Sequence, residues 1–183
     1  CEDNDLVVCS IFVNPTQFND PNDLAKYPRT IEQDLLLLAE TAVGCVYLPD
    51  ASDVYPANQT VEKYSFGALE AVLEGAHRPG HFEGVGMVVA RLLRIVQPDK
   101  LYLGEKDYQQ CLVIRDLLRQ MKLEQQVELH ICPTQRNPEG LALSSRNQRL
   151  SAEGKQAASQ IYSHILQCRE RYSSLNPDQL AAW

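Results

Sequence analysis

The chain has no apolar run approaching the roughly 18 residues a membrane helix requires, and its first residues lack the basic and apolar regions of a signal peptide. It has no C-x-x-C pair. Its six cysteines, at positions 1, 9, 45, 111, 132 and 168, are too widely spaced for a dense disulfide framework or for a Cys/His set with zinc spacing. Cys9, Cys45, Cys111 and Cys132 lie in or beside apolar runs, where a free cysteine acts as a small hydrophobe; the pattern predicts a reducing compartment, hence the cytoplasm. No P-loop signature, internal repeat or low-complexity tract occurs. Positive charge is scarce as well. Seventeen Lys and Arg against 24 Asp and Glu give a formal net charge of −7, so the molecule as a whole is not drawn to nucleic acid or to an anionic membrane, and any phosphate binding must be local.

What is present is the composition of an ordinary globular chain. Of 183 residues, 44% are hydrophobic and 22% charged, which suits one large domain or two small ones. A globule of this size buries roughly 70% of its unfolded surface and needs no staple. The chain starts at Cys1 without a methionine and stops at Trp183 inside an amphipathic helical pattern; the expectation is a fragment cut at both ends.

Leu6 to Val13 (LVVCSIFV) is a β-branched apolar run ended by Asn14-Pro15, the pattern of a strand buried on both faces. Asn19 to Arg29 is polar, with two prolines, and reads as a mobile loop or a lid. Thr30 to Gln33 has the form of a capping box opening a helix with Ile31, Leu35, Leu38 and Ala42 in register, and Gly44 is placed to end it. Cys45 to Leu48 is a second strand, Val54-Tyr55-Pro56 a turn, Thr60 to Tyr64 an edge strand and Phe66 to Leu73 a short helix. Val85, Val88, Val89, Leu92 and Val96 recur at helical spacing up to Pro98. Lys100 to Leu103 is a third strand, Asp107 to Lys122 a helix with Ile114, Leu117, Leu118 and Met121 on one face, and Gln126 to Cys132 a fourth strand. This alternation predicts an α/β fold, a doubly wound parallel sheet with helices on both faces. After Pro133 the pattern changes to a loop followed by a helix from about Ala152. The domain expectation is residues 1–136 and 137–183.

Ligands of open parallel sheets bind beyond the carboxyl ends of the strands, and four polar clusters fall there. Asn14-Pro15-Thr16-Gln17-Phe18 is either a strand-end turn or a pair of amides offered to a small polar ligand. His77-Arg78-Pro79-Gly80-His81-Phe82-Glu83-Gly84, just before a helix, is either an ordinary polar loop or an anion site. Gly104-Glu105-Lys106-Asp107 places a glycine, a helix start and a lysine together, as a small phosphate site would; the alternative is a capping box of Asp107 with Gln110. Leu143-Ser144-Ser145-Arg146-Asn147, after Gly140, combines hydroxyls with a guanidinium and suits a polyphosphate.

Taken together, FVNPTQF (12–18), YPRT (27–30), RPGHFEGV (78–85), IVQPDKLYLGEKDYQQ (95–110) and GLALSSRN (140–147) resemble the pantoate–β-alanine ligase family. The resemblance implies a class I nucleotidylyl-transferase fold: a Rossmann-like domain, here without its first strand–helix unit, followed by the start of a small C-terminal domain. It implies adenylation of pantoate by ATP with Mg²⁺, release of pyrophosphate, and attack by β-alanine to give pantothenate and AMP. Under that resemblance Lys106, Ser145 and Arg146 are catalytic. Gly104, Glu105, Lys106, Asp107, Gln135, Leu143, Ser144, Ser145 and Arg146 line the ATP site, with Ser144 to Arg146 the counterpart of a KMSKS loop. Gln17 and Gln110 hold pantoate with Asn14 nearby, Val88 and Val89 form an apolar wall, and Arg78 and His81 sit at the rim. The resemblance puts the Asp107 carboxylate on the ribose or metal side of the nucleotide and leaves the metal-holding residues open. The expected partners are pantoate, β-alanine and ATP, with a homodimer as the family's usual assembly.

Three departures accompany the resemblance. The glycine- and histidine-containing HIGH-type motif of the family has no match, the C-terminal domain is incomplete, and Gln135 stands where the family often has a small apolar residue beside adenine. The rival reading is therefore a catalytically silent chain that serves as a binding or dimerisation module.

Overall fold

The computed structural model describes residues 3–18, 20–58, 60 and 62–172, which fall into two compact units, one within residues 1–132 and one within 133–183. The first unit alternates strands and helices, as the apolar pattern requires. β1 (Val8–Ser10) pairs in parallel with β2 (Cys45–Tyr47), Cys9 lying opposite Val46. β3 (Lys100–Gly104) pairs in parallel with β4 (Glu128–Cys132), Tyr102 lying opposite His130. Each pair is joined through a helix, the crossover that parallel strands require: α2 (Ile31–Ala39) for the first and α6 (Tyr108–Gln120) for the second.

The parallel α/β class is as predicted, but the described strands form two pairs and not one continuous sheet. The segment leading into β1 is tied to β3 by side chains: Asn4 Nδ2 donates to the Tyr102 hydroxyl at 3.1 Å and Lys100 Nζ to the Asp3 carbonyl at 3.0 Å. Among the described residues β1 has a strand neighbour along one edge only; it is three half-buried or exposed residues, not a strand buried on both faces, and Leu6 beside it is exposed. α2 buries none of its residues, and Leu36 and Leu37 on it are exposed.

The core lies around α5 (His81–Val96) and α6. Phe82, Val85 and Ala90 from α5 meet Val113, Ile114 and Leu117 from α6, closed over by Phe66. A second cluster joins Leu93, Leu118 and Val127. This is the apolar stripe legible in the spacing of both helices. α5 ends at Gln97, which takes a left-handed conformation (φ 50°) before Pro98 and donates its N–H to the Leu93 carbonyl at 2.9 Å.

Several local expectations change. The polar stretch after Phe18 holds a short helix, α1 (Pro21–Ala25), whose start is capped by the Asp20 carboxylate accepting from Asn22 N–H; Asn19 lies outside the described residues. Thr30 precedes α2 without capping it, because its hydroxyl donates to the Asp34 carboxylate instead. Gly44 does not end α2, which stops at Ala39. It lies beside β1, where its N–H donates to Val7 O and a Cβ would meet Leu6 Cδ1 at 2.8 Å.

The turn expected at Val54 is the end of a helical turn, α3 (Ala51–Val54), with Val54 fully buried. Residues 60 and 62–64 form no strand, and residue 61 lies outside the described set. Phe66 to Leu73 divides into a 3-10 turn (Gly67–Glu70) and the start of α4 (Leu73–His77). Of the five described cysteines, all free, Cys111 is buried as expected of a small hydrophobe, whereas Cys45 and Cys132 are exposed at the ends of their strands.

The second unit is a tight turn and one long helix. Arg136 bridges to Ala142 in antiparallel fashion, with Gly140 (φ 90°) making the turn between them. Ser144 caps a 3-10 turn (Ser145–Arg149), and α7 (Ala152–Arg171) follows, capped by Ser151 Oγ accepting from Gly154 N–H at 3.1 Å. The Arg136 guanidinium stacks 3.7 Å from the centre of the Tyr162 ring, a cation–π contact that holds the turn against α7. No described residue of this unit is buried. No described helix of either unit is long and apolar enough to cross a membrane. Positions 173–183, including the helical pattern read up to Trp183, lie outside the described residues.

Candidate active site

The turn after β1 is built around Asn14, whose side chain is 1% exposed. Its Oδ1 accepts from the Thr16 N–H (3.3 Å), the Thr16 hydroxyl (3.0 Å) and the Tyr55 hydroxyl (3.0 Å). Its Nδ2 donates to the Gly84 carbonyl at 3.2 Å and reaches Gln17 Oε1 at 3.5 Å. An amide has two donors and one oxygen to offer, and all of them are engaged within the protein. Asn-Pro opens the turn because proline presets the backbone and supplies no N–H; a short 3-10 helix, Pro15–Gln17, results.

This turn rests directly on α5. A Cβ at Gly84 would lie 2.4 Å from the Thr16 carbonyl oxygen and 2.9 Å from Gln17 Cα, so glycine is what permits the approach. Burial raises the Tyr55 phenol above its usual range, while its hydrogen bonds to Thr16 and Asn14 oppose that rise.

His81 and Arg78 hold the far side of the same turn. His81, 6% exposed, places Nδ1 at 2.8 Å from the Gln17 carbonyl oxygen and Nε2 at 3.1 Å from Arg78 Nη1. Arg78 also pairs with Glu74 and extends Nη2 to the Gln17 carbonyl at 3.5 Å. Glu74 is held in turn by Gln109, which is 7% exposed on the first turn of α6. The Gln109 Oε1 accepts the Glu74 N–H at 3.0 Å, and its Nε2 donates to the Leu69 and Val72 carbonyls at 2.7 and 2.9 Å. Those bonds fix a segment in which Leu73 adopts a left-handed conformation (φ 49°), unfavourable for a side chain with a Cβ. A chain of contacts thus runs from α6 through Glu74, Arg78 and His81 to Gln17.

The turn after β3 is open by contrast. Gly104 ends the strand, and Glu105–Asp107 forms a 3-10 turn leading into α6. Asp107 stands at the N-cap position without a side-chain capping bond, so the Asp107–Gln110 capping box does not form. Its carboxylate accepts instead from Lys106 Nζ at 3.3 Å, with the two side chains 41% and 56% exposed. A lysine and free helix N–H groups beside a strand end form a place where an anion can be received. Gln110 follows on the same helix, half-buried. Asp107 exerts a weak raising effect on the His81 imidazole.

Val88 is buried on α5, and Val89 packs against both core clusters. Gln135 and Leu143 to Arg146 belong to the second unit. There Leu143 N–H donates to the Gln135 carbonyl at 2.9 Å, Ser144 Oγ accepts the Arg146 N–H at 3.3 Å, and Asn147 Nδ2 donates to the Ala142 carbonyl at 2.9 Å. Leu143, Ser145 and Arg146 are exposed there. Among the described residues, no group of three or more His, Cys, Asp or Glu side chains is placed to hold a metal ion.

Tyr55 and Glu74 lie outside the motifs, and Gln109 lies within the 95–110 segment without a role assigned to it there. A signal for Gln109 does exist: it stands four and eight residues before Val113 and Leu117, on the stripe of α6 that is buried. A polar side chain in that register has to find partners inside the protein.

Parallel strands joined by helices, with amide, imidazole and lysine side chains past the strand ends, place the chain in the parallel α/β class, whose ligands bind beyond the carboxyl ends of the strands. A family model described as pantoate-beta-alanine ligase matches residues 1–182. The chain belongs to that family. It is 47% identical over 167 residues to the pantothenate synthetase of Bacteroides thetaiotaomicron, covering 91% of this chain and 58% of that protein. It is 45% identical over 179 residues to that of Porphyromonas gingivalis, covering 98% and 63%.

Among solved structures, pantothenate synthetase from Thermus thermophilus superposes with a TM-score of 0.87 at 44% identity, over 94% of this chain and 62% of that one. Pantoate-beta-alanine ligase from Francisella tularensis, complexed with beta-gamma ATP and beta-alanine, gives a TM-score of 0.81 at 44% identity over 88% and 61%. The chain therefore spans about three fifths of the length of these relatives.

Proposed function

We propose that this chain carries the pantoate site and much of the ATP site of a pantoate–β-alanine ligase, which condenses pantoate with β-alanine through a pantoyl-adenylate. The observation that supports it most is the pairing of two turns: a saturated one presenting Gln17, and an open one presenting Lys106 at the start of the helix that bears Gln110.

In the first step a pantoate carboxylate oxygen attacks the α-phosphorus of ATP. The new O–P bond forms as the bond to the bridging oxygen breaks, and pyrophosphate leaves with that electron pair. In the second, the β-alanine amine attacks the acyl carbon, AMP departs, and the amine loses a proton to leave an amide.

Two anions meet in the first step and charge grows on the leaving group, so the protein's main work is preorganised positive charge. By family likeness Lys106 supplies it, and Ser144, Ser145 and Arg146 are further donors to the phosphates. Gly104, Glu105 and Asp107 shape the nucleotide site around Lys106, and Leu143 and the backbone of Gln135 are assigned to ATP by family likeness. Gln17 and Gln110 read the hydroxyl and carboxylate groups of pantoate, Val88 and Val89 back its methyl groups, and Asn14 fixes the turn that carries Gln17. Arg78 and His81 stand at the rim. Magnesium would come bound to the nucleotide phosphates and neutralise part of their charge, and the exposed Asp107 carboxylate is the side chain of this turn that would offer it a ligand. A homodimer in the cytoplasm accompanies this reading by family likeness.

The test is nucleotide binding by calorimetry together with pyrophosphate release from Mg·ATP and pantoate. Pantoate-dependent release is expected, and Lys106→Ala should lower its rate roughly 10²- to 10³-fold. Nucleotide binding without any release would favour the rival reading, a silent binding module. No nucleotide binding at all would overturn the proposal.

A further inference from the structure

The two ring nitrogens of His81 face partners of opposite character. Nδ1 lies 2.8 Å from the Gln17 carbonyl oxygen, which can only accept, so Nδ1 must carry a proton. Nε2 lies 3.1 Å from the Arg78 guanidinium, which can only donate, so Nε2 must be bare. A single protonation state meets both demands: the neutral imidazole with its hydrogen on Nδ1. At 6% exposure the ring has little access to substitute water partners.

We propose that His81 is a positioning residue, locked as the neutral Nδ1–H tautomer, which holds the Gln17 turn and the Arg78 guanidinium in register and releases both when its ring is protonated. It acts through Gln17 and Arg78 and need not touch substrate itself. That these two neighbours serve pantoate rests on the function proposed above; the locked tautomer and its release do not.

The charged groups facing the ring are Glu74 from α4, Arg78 from the turn after it, and Asp107 from the start of α6; the 3-10 turn Pro15–Gln17 contributes only a carbonyl. Burial pushes the imidazole below its ordinary range and Arg78 pushes the same way, against the opposing effects of the Gln17 carbonyl, Glu74 and Asp107. The sign follows. A histidine depressed in the folded protein contributes stability that is present above the unfolded value, about 6.5, and is lost as pH falls through the lower folded value. Acid puts a proton on Nε2, directly opposite a guanidinium.

The experiment is nitrogen-15 NMR of the whole chain, labelled at histidine and backbone, titrated from neutral to acid pH. His81 should show a protonated Nδ1 and a bare Nε2, titrate below the usual histidine midpoint, and carry the Phe18 amide, next to the Gln17 carbonyl, with it. An Nε2–H tautomer, a midpoint at or above the usual value, or a Phe18 amide indifferent to the titration would overturn the proposal.

Calorimetry with pantoate then separates the two ring contacts. His81→Ala should weaken binding more than His81→Asn, whose amide reaches the Nδ1 position and restores the bond to Gln17. The difference should be about tenfold, the size of one well-aligned buried hydrogen bond, and both variants should lose the acid dependence below pH of about 6.5. Equal losses in the two variants would overturn the positioning role. If the NMR signatures hold and pantoate does not bind, the locked histidine stands and the pantoate reading of the site falls.

Discussion

The turn after β1 and the turn after β3 each follow a parallel strand of the same unit and each adjoin a helix start. At the first, Asn14 is enclosed, every hydrogen-bonding position of its amide is used, and Gly84 lets the backbone of α5 come into direct contact. At the second, Lys106 and Asp107 are paired with one another at 3.3 Å but remain about half exposed, and the helix start has no side-chain cap. Buried polar networks specify a single geometry when every member is satisfied. An exposed lysine beside uncapped N–H groups does the reverse and keeps its partners for a ligand. One turn is built by the protein, and the other is left to be completed.

That contrast can be broken most forcefully at Asn14. Asn14→Ala removes the shared partner of Thr16, Tyr55 and Gly84, and should cost about 2–4 kcal/mol of stability, read as a lowered midpoint in chemical denaturation. A loss near zero would show that the network is not holding the turn. Gly84→Ala comes next: its methyl group would collide with backbone and not with a movable side chain, so about 1–3 kcal/mol is expected, together with shifted amide resonances at Thr16 and Gln17.

The smallest change in stability should come from Lys106→Ala. A half-exposed lysine paired with its chain neighbour contributes under about 0.5 kcal/mol, yet this variant should lose most nucleotide binding. If Lys106→Ala instead unfolded the protein, or Asn14→Ala left it intact, the division between a prebuilt and a waiting turn would fail.

How much of this is legible in the sequence differs from element to element. α5 and α6 are readable because valines and leucines at helical spacing have one place to go, and the burial of Val85, Ile114 and Leu117 follows that stripe. β3 and β4 are readable for similar reasons, being short apolar runs closed by turn residues. Capping predictions are weaker. Thr30 and Asp107 both have hydroxyl or carboxylate groups at the right positions, but Thr30 turns to Asp34 and Asp107 to Lys106. A cap competes with any nearby partner, and spacing alone does not rank them. Gly44 shows the same limit: a glycine after a helix suggests a cap, whereas here it gives Leu6 the room to lie against the strand start.

At the candidate site, the motifs bring Asn14, Gln17, Arg78, His81, Lys106 and Gln110 forward as polar residues past the strand ends. They do not show which of these face inward. Gln109 and Gln110 are neighbours of identical chemistry, and only the hundred-degree step between them along α6 turns one into the brace of the Leu69–Glu74 segment and leaves the other half-buried at the helix start. Tyr55 is similar, an apparent turn residue whose hydroxyl completes the Asn14 network from 41 residues away.

The sequence by itself determined the alternation of parallel strands and helices, the two apolar stripes that make the core, and the family, because periodicity and ordered motifs are local properties of the chain. Tertiary structure alone decided that Asn14 is saturated, that His81 must keep its proton on Nδ1, and that Lys106 stays open. Each of those depends on partners supplied by distant segments, and a polar group's role follows from whether burial has already satisfied it.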